Sequence, residues 1–135
     1  MIHIRTTYIV LVILTIACIV IPRYAFPKLL GTSVPLDVVE SGSMEPELHI
    51  GDLLVAQGIK YKDIKVGLII VFKRPSANYL IVHRIYAIHN KVRIITKGDN
   101  NPFPDPFYIT SSDVRGVVIA RIPLVGYLTL VFRLK

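Results

Sequence analysis

Apolar and polar positions divide the chain into stretches of different period. From Thr6 to Ile21 the run TTYIVLVILTIACIVI is apolar on every side and stops at Pro22-Arg23. A helix without a polar face is buried or spans a membrane. A span takes about 17–25 residues and the core of a cleaved leader about 7–15, so this run lies at the border of the two. Tyr8 near one end, with Tyr24 and Phe26 past the other, matches the aromatic belts of a retained span. Were Ala25 the last residue of a leader, Arg23 would fill the third position before the cut, where a small side chain is required. A retained anchor over residues 1–26 is therefore expected. Arg5 lies on one side of it and Arg23 and Lys28 on the other, so charge does not fix its orientation.

Beyond the anchor the period changes to two. Pro27 to Val39 reads as a linker punctuated by Pro and Gly. Five runs rich in Val and Ile follow, at Ile50–Ala56, Val66–Phe72, Tyr79–Ile88, Val92–Thr96 and Val114–Ile122, separated by clusters of Gly, Pro, Asn and Asp. The third and fourth flank His89-Asn90-Lys91 and read as a hairpin. Asn101 to Pro106 holds three prolines and is expected to be irregular. Residues 27–135 thus form one mostly β, antiparallel domain, closed or nearly closed on itself. The apolar end, Pro123 to Phe132, is too short to span as a helix. It reads as a last strand or a patch dipping into a bilayer, with Arg133 and Lys135 at headgroup level.

Composition narrows the classes. The chain has 135 residues, room for one domain. Hydrophobic residues make up 53% of it, well above ordinary soluble domains. The net charge of +7 could serve nucleic acid or an anionic membrane surface. The cations are scattered, and no recognition-helix, zinc-finger or RNA-binding pattern accompanies them, so lipid headgroups are the expected partner and nucleic acid is not. Cys18 is the single cysteine, which excludes an intrachain disulfide. The four histidines lack close spacing, so neither a metal site nor a cofactor is expected.

Candidate chemistry centres on Ser41-Gly42-Ser43-Met44-Glu45-Pro46. Gly42 and Pro46 make this a turn, which can present a hydroxyl while backbone N–H groups lie near enough to hold an oxyanion. The plainer alternative is a loop whose serines cap backbone groups. Among the histidines, His3 precedes the anchor, His49 lies near the serine turn in a solvent-facing position and His89 sits at a hairpin tip. His83 lies mid-strand, a rigid platform for a base, although such a histidine is often only structural. Asp99, in Thr96-Lys97-Gly98-Asp99-Asn100-Asn101, fits an Asx-turn, and Asp105 follows six residues on.

Taken in order, Ser41–Pro46, Gly51-Asp52-Leu53-Leu54, Ile81-Val82-His83-Arg84-Ile85 and Lys97–Asn101 resemble type I signal peptidases, in the branch found in archaea and the endoplasmic reticulum membrane. The likeness runs from the anchor to the last strand. It implies a compact antiparallel β domain of signal-peptidase type behind one transmembrane helix, with the domain on the extracytoplasmic side of the cell membrane or reticulum membrane. It implies Ser43 as nucleophile, His83 as general base where bacterial relatives carry lysine, Asp99 and Asp105 as the branch's two aspartates, and Ser41 as an oxyanion candidate. The implied partners are signal-bearing precursors and membrane lipids, and accessory subunits are allowed. Two features depart from the family: the stiff Pro102-Phe103-Pro104 between the aspartates, and a short apolar C-terminus in place of a second span. Two rival readings remain. A self-cleaving Ser-Lys regulator would carry a DNA-binding helix-turn-helix, which is absent. An inactive tethered β-domain, acting as a binding or accessory subunit, would leave Ser43 and His83 pointing to opposite faces of the sheet.

Overall fold

The computed structural model describes residues 2–77 and 79–128. The N-terminal helix α1 spans Ile2–Val20, passes through a π-helical turn at Ile21–Ala25 and continues as α2, Phe26–Leu30. Pro22 and Pro27 have no N–H to give to the helical ladder. The ladder loosens between them, and Phe26 N–H reaches the Ile21 carbonyl. The helix stops at Gly31, in the left-handed region at φ 62° with its N–H on the Pro27 carbonyl. The helical run therefore extends four residues past the expected boundary at residue 26. Thr6–Leu30 is long and apolar enough to cross a membrane, and none of its described residues is buried in the protein.

Six strands follow: β1 Leu36–Val38, β2 Leu53–Gln57, β3 Ile69–Lys73, β4 Leu80–His89, β5 Arg93–Lys97 and β6 Val114–Ile122. They form one sheet in the order β1-β2-β6-β3-β4-β5, antiparallel at every pairing. Two strands, β2 and β3, start three residues later than their apolar runs. Gly51 and Gly67 take φ 86° and φ 93°, so the chain turns before β2 and β3 can pair. The His89–Val92 turn between β4 and β5 has positive φ at Asn90 and Lys91, the twist a tight hairpin needs. β1 lies inside the stretch read as linker, because three residues are too few to show a period. The sheet is not closed by a β1–β5 pairing among the described residues. Pro123–Leu128 forms turns leading into a helical start rather than a strand, and Thr129–Lys135, with Arg133 and Lys135, lies outside the described residues.

β3 is apolar on both faces because a core layer lies on each side of it. One layer gathers Ile70, Phe72, Ile85, Ile94 and Ile109. The other gathers Val39, Met44, Leu48 and Leu54, with Ile69, Val82 and Val118 at its margin. The helix is fastened to the far end of β2. Gly58 N–H donates to the Leu30 carbonyl at 2.8 Å, and Thr32 Oγ1 donates to the Arg115 carbonyl. A Cβ on Gly58 would lie 2.1 Å from the Gly31 oxygen, so only glycine admits this approach.

Candidate active site

The serine turn is held from below by its apolar residues. Gly42–Met44 is a single 3₁₀ turn that Glu45 N–H closes onto the Gly42 carbonyl at 3.2 Å. Met44 and Leu48 are 1% and 2% exposed within the second core layer, and Leu48 N–H donates to the Met44 carbonyl. Burying a side chain of this size stabilises by about 1.5–3 kcal/mol, enough to fix the turn's height over the sheet. Ser43, half-buried, is left with its hydroxyl facing β4. From the other side, Asn100 N–H donates to the Ser43 carbonyl at 2.9 Å and Asn100 Nδ2 to the Gly42 carbonyl at 3.1 Å. A Cβ on Gly98 would come within 2.5 Å of the Ser43 oxygen and 2.9 Å of His83 Nε2.

His83 stands on β4 opposite Ile70 of β3, 7% exposed, with the Phe72 ring 6.4 Å away. Ser43 Oγ lies 3.1 Å from Nε2, and Asp105 Oδ2 lies 2.8 Å from Nδ1. These distances suit the tautomer in which Nδ1–H donates to Asp105 and Ser43 O–H donates to Nε2. The irregular loop after β5 returns to bring Asp105 there. Asp105 N–H donates to the Thr96 carbonyl at 2.9 Å, and Thr96 Oγ1 donates to Asp105 Oδ2 at 2.5 Å. Burial alone would raise the Asp105 carboxyl. Hydrogen bonds from His83 and Thr96, with the charges of His83 and Arg74, outweigh it and hold the group below the usual carboxylate value.

Of the two aspartates, the structure brings Asp105 to His83 and sends Asp99 elsewhere. Arg84 Nε and Nη2 grip the Asp99 carboxylate at 2.9 and 2.7 Å, and Arg84 Nη1 donates to the Gly67 carbonyl. His83 and Arg84 are successive strand residues on opposite faces, so each collects a different aspartate. Ser41 Oγ sits 3.3 Å from Ser43 Oγ, at the same edge of the site. His49 lies away from it, beside Arg121 and Asp52, and His89 is exposed at the end of β4. Asp52, 1% exposed, accepts from His49 N–H and Arg121, and its carboxyl is held low by them against the opposing effect of burial. Thr96, Gly98, Arg84 and Asn100 were not singled out by sequence. Only Gly98 gave a signal, a glycine inside a turn motif that marks close backbone approach.

A cleft of about 840 Å3 opens beside the serine. Val38, Val39 and Ser41 form one wall, and Ile81, Val82 and His83 the other. Pairing of β4 with β5 begins at Arg84, so Leu80–His83 presents an unpaired backbone edge toward this cleft among the described residues. The side chains of Ser43 and His83 converge rather than pointing to opposite faces, contrary to the geometry expected of a mere binding module.

The family model described as signal peptidase, peptidase S26, matches residues 4–96. The chain belongs to this family. Its matched segment contains Ser41, Ser43 and His83, and Asp99 and Asp105 follow it. The chain is 37% identical over 114 residues to signal peptidase complex catalytic subunit SEC11C of Homo sapiens and of Canis lupus familiaris, covering 76% of this chain and 59% of each relative. It is 36% identical over 135 residues to the SEC11 subunit of Yarrowia lipolytica, covering 87% of this chain and 77% of that one. The chain thus spans about three fifths of the length of the mammalian relatives. Among family members, these catalytic subunits share the branch to which the serine and histidine motifs pointed.

Proposed function

We propose that this chain is a membrane-anchored serine endopeptidase that removes N-terminal signal peptides from secretory and membrane precursors. The observation that carries the reading is the unbroken hydrogen-bonded line from Ser43 Oγ through His83 to Asp105. An extended precursor enters the cleft between β1 and the start of β4, where free backbone groups on the sheet edge pair with it. Neutral His83 accepts the Ser43 proton at Nε2 as the hydroxyl attacks the scissile carbonyl. Asp105 holds Nδ1–H, fixes the tautomer and favours the imidazolium that forms. In this reading Ser43 N–H and Ser41 Oγ donate to the developing oxyanion. His83 then returns the proton to the leaving amine, and water releases the acyl group by the same steps. In this reading Asp105 is the orienting carboxylate, and Asp99 supports the turn behind Ser43 through Arg84.

In this reading the cleft lies on the exported side of the membrane, where precursors held by their own apolar leaders meet it. The SEC11 relatives are subunits of a complex by name. Accessory chains beside this one would extend the same arrangement. The test is incubation of the purified full chain, in detergent or lipid, with a signal-bearing precursor. Site-specific cleavage is expected from the wild type, with a loss of at least about a thousandfold in Ser43→Ala. Equal cleavage by that variant would remove Ser43 from the role.

A further inference from the structure

We propose that Asn100 is a positioning residue that aims the Ser43 backbone N–H at the oxyanion, an inference that rests on the peptidase reading above. The peptide joining Gly42 to Ser43 is trans, so its C=O and its N–H point in opposite directions. Asn100 Nδ2 donates to that C=O, the Gly42 carbonyl, at 3.1 Å. Asn100 N–H also donates to the next carbonyl, Ser43 O, at 2.9 Å. One residue thus grips two successive carbonyls of the nucleophile turn. Ser41, Ser43 and Met44 line the cleft and Asn100 does not. Asn100 therefore approaches from behind, and pinning the Gly42 carbonyl toward it turns the Ser43 N–H toward the cleft.

The turn needs this external hold because of its own sequence. Rotation of the Gly42–Ser43 peptide changes ψ of Gly42, and glycine resists such rotation less than any other residue. The 3₁₀ turn supplies one restraint, Glu45 N–H on the same Gly42 carbonyl at a long 3.2 Å. Asn100 supplies the second. Its side chain is exposed and takes no part in either core layer, so its removal spares the fold. Among the described residues, His83 and Asp105 bond to Ser43 and Thr96 and not to Asn100, so removal also spares the base.

The test is steady-state cleavage of a signal-bearing precursor by the full chain in detergent micelles, for wild type, Asn100→Ala and Asn100→Asp. The second variant keeps the shape and the backbone N–H and loses the donor to Gly42 O. Both are expected to lower kcat by about 10–100-fold, a part of what loss of an oxyanion donor costs. KM is expected to stay within about twofold, because ground-state substrate does not use the donor. In Asn100→Ala the midpoint of the acid limb of kcat is expected to match wild type. Wild-type kcat in either folded variant overturns the proposal. So does a loss expressed in KM alone, or an Asn100→Ala acid limb that moves, which would put the damage at His83. Should Asn100→Ala fail to fold, the kcat and KM of Asn100→Asp decide. A folded wild type that leaves the precursor intact sinks the peptidase reading itself, whereas cleavage by wild type with an unimpaired Asn100 variant sinks only this inference.

Discussion

At the scale of single residues, the site depends on which carboxylate stands behind the imidazole. Both Asp99 and Asp105 are plausible by sequence, six positions apart in polar, turn-rich chain. The choice follows from β4 alternation and from the return of the loop to Thr96, neither of which local sequence specifies. Asp105 carries a pH consequence. Its folded pKa lies below the ordinary 3.8, so its native contacts contribute stability above that value and lose it as pH falls through the folded pKa. It therefore remains ionised above the ordinary carboxylate range. The acid side of log kcat/KM against pH is expected to fall with a slope of one, with no second proton added by this carboxylate. A slope of two, measured with the full chain, would mean that the carboxylate titrates as well.

At the scale of elements, the strands were legible wherever four or more apolar residues alternated or ran together. β6 was read to the residue, and the β4–β5 hairpin was read from its turn. β1 was not legible, because it is recognised only through its pairing with β2. Nor was the role of the turn after β5, since nothing local says that it packs on a serine some fifty residues earlier. Gly98 is where that packing is tightest. Gly98→Ala places a methyl against Ser43 O and His83 Nε2 and must push the turn and the serine apart. A displacement near 1 Å at reacting atoms is worth about a hundredfold in rate. Cleavage by Gly98→Ala is expected to drop by about that factor while circular dichroism stays native. Full activity would show that the turn yields without moving the serine.

At the scale of the whole molecule, the apolar helix and the β domain divide the work. Under the proposed function, the helix would confine the enzyme to a surface, and the precursor's own leader would confine the substrate to the same surface. Their encounter then depends on surface density rather than on bulk concentration. Adding empty lipid vesicles before reconstitution, at constant protein and precursor, is expected to slow cleavage roughly in proportion to the added area. A rate indifferent to lipid would mean that substrate reaches the cleft from solution.

The joint where Gly58 meets Gly31 adds a geometric rule. Because the last helical turn is locked to the end of β2, anchor and sheet behave as a single lever. One residue added to the helix would raise the cleft by about 1.5 Å and swing it by about 100° around the helix axis. Helix length therefore sets the compass bearing of the cleft as well as its altitude. Helices that differ by a full turn keep that bearing, whereas single-residue steps turn the cleft away from it.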